Sequence, residues 1–196
     1  MDGERPFRIA LAVIFTAFTV IRVHFGRSAG HVRHPEGKRT GVDASIAAAL
    51  LSFLIPFEVV TLFAYLFLTR WVMWAALPMP AWVRWIGAGL GVLALLLFAW
   101  VHRSLGANFS NSVHVREGHT LVTGGPYRWA RHPMYTAFHL IHAAAFLLTA
   151  NWFIGLTWIG GLTVVIALRL REEERVMIET FGELYLAYMK RTRRFL

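Results

Sequence analysis

Ile46–Leu68 reads IAAALLSFLIPFEVVTLFAYLFL, twenty-three residues with one charge, Glu58, and one proline, Pro56. About 20 mostly apolar residues in a helix cross a hydrocarbon core roughly 30 Å thick, and this run is long enough. Phe7–Phe25 and Trp82–Val101 are runs of the same kind. Two shorter ones, Tyr135–Thr149 and Trp152–Leu168, are separated only by Ala150-Asn151 and predict a tight helical hairpin. Of the 196 residues 57% are hydrophobic and 16% charged, and the mean hydropathy is +0.51. A soluble domain carries about 25% charged residues, so the composition selects the membrane class. The expected fold is an all-α polytopic bundle of about five transmembrane helices, one domain over 1–196, with polar segments 102–134 and 169–196 as a cap. The first run lacks a small-residue cleavage pattern and reads as a retained helix.

Five crossings place 26–45, 102–134 and 169–196 on one side of the membrane. That side holds fifteen of the Lys and Arg residues. The other holds four, Arg5, Arg8, Arg70 and Arg84, while Arg22 near the end of the first run can snorkel toward the basic side. Positive residues mark the cytoplasm. The expectation is an integral membrane protein with its N-terminus outside and its C-terminus and polar cap cytoplasmic. Basic residues that alternate with membrane spans do not line one groove, so a net charge of +9 does not indicate nucleic acid.

The cap concentrates chemistry in His119-Thr120-Leu121-Val122, Gly124-Gly125-Pro126-Tyr127 and Arg131-His132-Pro133-Met134-Tyr135. Pro126 after two glycines reads as a turn. Pro133 suits the first turn of the fourth helix, with His132 on its N-cap side, and a helix N-terminus favours an anion. Tyr127 and Tyr135 offer flat surfaces to a base or a cation. On the last helix, Arg169 and Glu173 lie four apart and share a face at the cytoplasmic mouth. A guanidinium suits a carboxylate, and a carboxylate suits an ammonium. A ligand with an anion, a cation and an aromatic ring fits such a set. S-adenosylmethionine is one, though not the only one.

Other features point elsewhere. Glu58 is an intramembrane carboxylate, a functional candidate by default, and it supports a non-enzymatic reading as a transporter or lipid-binding scaffold. The alternative is a neutral acid hydrogen-bonded within the bundle. His139 and His142 share a helix face, but with no cysteine in the chain no metal is expected. Gly87, Gly89 and Gly91 permit close helix approach. The Lys190–Arg194 cluster suits anionic headgroups.

The ordered set from His102 to Tyr135, namely Leu105-Gly106, Asn108-Phe109-Ser110, His119-x-Leu-Val122, Gly125-Pro126-Tyr127 and Arg131-His-Pro-x-Tyr135, resembles the isoprenylcysteine carboxyl methyltransferase family. Arg169-x-x-x-Glu173-Glu174, Phe181-Gly182 and Tyr185-x-x-Tyr188 continue the resemblance. It implies a cytoplasmic S-adenosylmethionine cap. His119, Thr120, Leu121, Val122, Tyr127, His132, Pro133, Met134, Tyr135 and Glu173 would hold the cofactor. Arg169 would orient the acceptor carboxylate of a prenylated or other lipid substrate entering from the bilayer, so Arg169 and Glu173 are the catalytic pair. Phospholipid amines are the nearest alternative acceptors, and small hydrophobic thiols or phenols the next. An amine must lose a proton before attack, a task for Glu174 or His102.

Overall fold

A computed structural model describes residues 2–28, 42–106 and 120–196. Each apolar run becomes one helix: α1 Arg5–Ser28, α2 Val42–Phe67, α3 Ala81–Leu105, α4 Pro133–Thr149 and α5 Trp152–Phe181. A short α6, Glu183–Arg191, follows. Asn108-Phe109-Ser110, His119 and most of the Gly26–Gly41 loop lie outside the described residues.

Four helices are long and apolar enough to cross a membrane: Arg5–Gly26, Ser45–Phe67, Ala81–Leu105 and Trp152–Phe181. Large apolar side chains such as Phe53, Val60, Leu96 and Leu156 point outward. In water that surface would aggregate; in a bilayer it meets lipid. The chain is an integral membrane protein. The fourth run is shorter than the others. α4 has 17 residues, about 25 Å of helix, yet it reaches the end of the bundle where α3 begins. Arg84, in the first turn of α3, donates from Nε to the Leu148 carbonyl at 3.1 Å, and the Leu77 N–H donates to the Ala150 carbonyl at 2.7 Å. The hairpin turns there through Ala150 at φ +45°. That left-handed alanine costs about 1–2 kcal/mol. Asn151 offsets the cost by accepting from Ile154 N–H at 3.0 Å and donating to the Val72 carbonyl at 2.7 Å.

Two of the three α3 glycines serve helix approach. A Cβ on Gly87 would lie 2.7 Å from Leu147 Cβ on α4, and one on Gly91 would lie within contact of Ile14 on α1. Gly89 faces open space. Lipid tails give helices no hydrophobic reason to associate, so close packing and polar links hold them. α2 uses one stripe for the links. Glu58 Oε1 is 3.2 Å from His142 Nε2 on α4, and Thr61 accepts from Trp158 Nε1 at 2.9 Å. Tyr65 joins a clasp where α3 begins, in which Arg84 makes a bidentate pair with Glu4 at 2.6 and 2.8 Å. Glu58 is therefore a hydrogen-bonded interior acid. His139 meets Thr163 Oγ1 at 3.1 Å, so the two α4 histidines have separate partners. Among the described residues no His, Asp and Glu cluster could hold a metal.

α5 is 30 residues long, about 45 Å, and outruns the hydrocarbon core. Its charged second half, from Arg169 on, projects beyond the bundle. The helix stops at Gly182, whose φ of +53° suits glycine, and the chain folds back as α6.

Candidate active site

The site forms where α4 begins and α5 leaves the membrane. Gly125–Arg128 is a 3-10 turn with Pro126 buried in it. Gly125 has φ +59°, and a Cβ there would collide with Ser104 on α3. That close approach seats the turn on the end of α3. His132 is the N-cap of α4 and Pro133 its first residue, and no side chain caps the helix.

The side chains converge on Glu173. The Tyr135 hydroxyl donates to Glu173 Oε1 at 2.6 Å, and Arg169 Nη2 is 3.4 Å from that same oxygen. His132 Nδ1 is 3.8 Å from Glu173 Oε2. The His132 ring stacks on Tyr135 with centroids 5.6 Å apart and planes 16° apart. Tyr127 is within electrostatic reach of Glu173, and burial pushes its phenol up. Arg169 and Glu173 are both mostly covered, at 24% and 21% exposure. An ordinary solvated ion pair would be open on one side. Tyr127, His132, Pro133, Tyr135, Arg169 and Glu173 are thus brought together. Met134 is half-buried in the first turn of α4, as are Leu121 and Val122 in the extended segment before the turn, whereas Thr120 is exposed.

Glu174, one residue on, faces the other way and has a different task. It is 7% exposed. Arg131 donates to its Oε1 at 3.0 and 3.2 Å, and Arg194 to its Oε2 at 2.8 Å. His132 Nε2 lies 3.5 Å from Oε1. The His132 ring, Arg194 and Arg131 hold the carboxyl down to about 2, against the burial that pushes it up. Such a group is a poor proton acceptor at neutral pH, which removes Glu174 as a base. His102 is 1% exposed with its ring between Phe98 and Phe25, a poor position for meeting an acceptor.

The last residues are tied by backbone hydrogen bonds to the segment that leads into α4. The Arg131 and His132 N–H groups donate to the carbonyls of Arg193 and Arg194 at 2.8 and 3.0 Å. Arg131 also donates to the Thr192 carbonyl at 2.6 Å. Tyr188 on α6 donates to the Tyr127 carbonyl at 2.6 Å, and burial raises its phenol to about 12. Residues 192–196 therefore form a strap beside the site. Arg131, Glu174, Tyr188 and Arg194, which hold this strap and the turn in place, are not among the residues the sequence assigns to the cofactor or the acceptor. The usable signal was Tyr185-x-x-Tyr188, an i, i+3 pair that predicts an inward face for α6.

Residues 86–179 match the model of the isoprenylcysteine carboxyl methyltransferase (ICMT) family. The chain is 29% identical over 150 residues to the human protein-S-isoprenylcysteine O-methyltransferase, covering 75% of this chain and 53% of the relative. It is 28% identical over 132 residues to that of Dictyostelium discoideum, covering 63% and 54%. The chain spans about half the length of these relatives. A solved structure of the eukaryotic intramembrane Ras methyltransferase ICMT shares the fold, with TM-score 0.55 and 21% identity over 80% of this chain and 53% of that one. The resemblance carried by the motifs is therefore a finding at the level of sequence and fold, and the family it points to is that of the isoprenylcysteine carboxyl methyltransferases.

Proposed function

We propose that the chain is an S-adenosylmethionine-dependent membrane methyltransferase. It methylates the carboxylate of a prenylated cysteine or a similar lipophilic carboxylate that enters from the bilayer. The observation that carries this reading is the convergence of Tyr135 and Arg169 on one oxygen of Glu173. It sets a fixed anion, a cation and stacked rings beside an uncapped helix start. Those groups fit the cofactor's chemistry: Glu173 its positive end, the N–H groups at the start of α4 its carboxylate, and Tyr127, His132 and Tyr135 its flat base. His119 and Thr120–Val122 join them by family resemblance. When bound, S-adenosylmethionine supplies a methyl group on a sulfonium, and the cofactor carries most of the drive.

The chain's own residues then have positioning tasks. Arg169 turns the acceptor carboxylate toward the donor. Tyr135 fixes the rotamer of Glu173, so the anion is in place before any ligand arrives. A carboxylate is already ionised at neutral pH and needs no base. An ammonium acceptor must lose a proton first, and the Arg131–Glu174–Arg194 lock takes Glu174 out of that role. The transporter reading drew on Glu58, and its bond to His142 gives that carboxylate a structural partner instead. The cytoplasmic placement follows from the charge bias and agrees with a cofactor made in the cytosol.

Radiolabelled S-adenosylmethionine binding to the detergent-purified protein tests the proposal. Saturable binding that Glu173→Ala weakens at least tenfold is expected. No binding by the wild type would remove the enzyme reading.

A further inference from the structure

Arg22 lies within the first apolar run, outside the family-matched segment, and the site as described gives it no task. Helix register shows where it faces. The Phe15 ring meets the Trp158 ring edge-on with centroids 5.5 Å apart, joining α1 to α5 within the membrane. Arg22 is seven residues after Phe15 and Arg169 eleven after Trp158. At 3.6 residues per turn both spacings return the side chain to within about 20° of its starting face. The two helices run in the same sense, since Glu4 before α1 and Asn151 before α5 both sit at the outer end. The helix faces that carry Phe15 and Trp158, which meet at this ring contact, therefore carry Arg22 and Arg169 toward the cytoplasm. The axial advances are about 10 and 16 Å, a gap that two extended arginine side chains span.

Neighbouring contacts agree with that placement. Phe18 stacks on Phe98 at 4.5 Å and Phe25 lies 5.3 Å from the His102 ring, so the residues about one turn before and one turn after Arg22 both meet α3. Phe98 in turn meets Phe138, the neighbour of Tyr135. The charges of Arg22 and Arg169 act on each other, and that of Arg22 reaches His102. Among the described residues no carboxylate pairs with Arg22, and it remains exposed. Glu173 meanwhile matches the charge of Arg169. An acceptor carboxylate arriving at Arg169 would find a cation already neutralised, with an unmatched guanidinium facing it.

We propose that Arg22 is the second guanidinium of the acceptor site, binding the acceptor's carboxylate together with Arg169. This rests on the reading of Arg169 as the acceptor-binding residue. A lipid headgroup phosphate shares that anionic chemistry, and the test separates the two.

The test compares binding of a short S-farnesyl-cysteine acid and its uncharged amide to detergent-purified wild type, Arg22→Gln and Arg22→Lys, with cofactor affinity measured on the same samples. A charge-assisted pair corresponds to about 10- to 100-fold in affinity. The wild type is expected to prefer the acid by that factor, Arg22→Gln to lose most of the preference at unchanged cofactor affinity, and Arg22→Lys to retain much of it. Retention of the full preference in Arg22→Gln overturns the proposal and leaves headgroup contact as the role of Arg22. No acid preference in the wild type overturns it together with the carboxylate reading. A preference lost in Arg22→Gln while the wild type transfers no methyl group to the acid upholds the site and overturns the enzyme reading instead. If Arg22→Gln does not fold, an Arg22→Lys variant with no acid preference overturns the proposal.

Discussion

Tyr135 and Arg169 reach the same oxygen of Glu173, at 2.6 and 3.4 Å, from two different helices. A hydroxyl and a guanidinium sharing one acceptor fix that carboxylate more firmly than either alone. The two neighbours should fail differently when removed.

Arg169→Ala is expected to weaken use of the acceptor while leaving S-adenosylmethionine affinity within about threefold. Glu173→Ala and Tyr135→Ala should weaken cofactor affinity by about tenfold or more, the scale of a lost charge-assisted hydrogen bond. Equilibrium binding of labelled cofactor to the three variants checks this. Equal affinity in all of them and the wild type would undo the assignment.

Glu174 should matter for stability first. Removing one member of a buried, hydrogen-bonded charge set costs about 3–5 kcal/mol, and Glu174→Ala would leave Arg131 without its carboxylate. Thermal unfolding in detergent should show a loss of several degrees. Arg194→Ala should cost less, because that side chain is 49% exposed.

Acid titration of stability follows from the same cluster. The folded carboxyl is held down to about 2 by His132, Arg194 and Arg131, below an unfolded value of about 4.3. A depressed folded value means that the stabilisation is complete above the unfolded value and fades as pH falls toward 2. Glu4 is lowered as well, chiefly by its hydrogen bond from Arg84, so the wild type has two such contributions. Melting temperature should fall between about pH 4.5 and 2, and Glu174→Gln should show a shallower fall. Parallel curves for wild type and variant would contradict it.

The three glycines of α3 give a contrast within one helix. Gly87→Ala drives a Cβ to 2.7 Å from Leu147 Cβ, an overpacking that costs about 1–3 kcal/mol. Gly89→Ala meets nothing within 4 Å and should be neutral or slightly stabilising, since alanine is the better helix former. Thermal unfolding of the pair checks the α3–α4 packing.

The membrane helices were legible because run length and composition alone decide them. The hairpin at Ala150-Asn151, the stop at Phe181-Gly182 and the entry at His132-Pro133 were legible too, since backbone chemistry marks each one. Glu173 and Arg169 were found from i, i+4 spacing and motif resemblance. Glu174 was misread as an available base. Its partners Arg131 and Arg194 lie 43 and 20 residues away in sequence, and no local pattern announces that meeting. The same holds for the 192–196 strap, two of whose bonds, to Arg131 and His132, are backbone pairings that leave no trace in residue type. Arg22 reads as a snorkelling residue, because nothing within its own helix points to Arg169, 147 residues further on.

Methyl transfer from labelled S-adenosylmethionine, by purified protein in lipid nanodiscs, tests the central claim most directly. Three acceptors are offered side by side: a short S-farnesyl-cysteine acid, its amide, and phosphatidylethanolamine. The expected result is base-labile label on the acid, the signature of a methyl ester, with none on the amide or the phospholipid. Label on phosphatidylethanolamine with none on the acid would contradict the account.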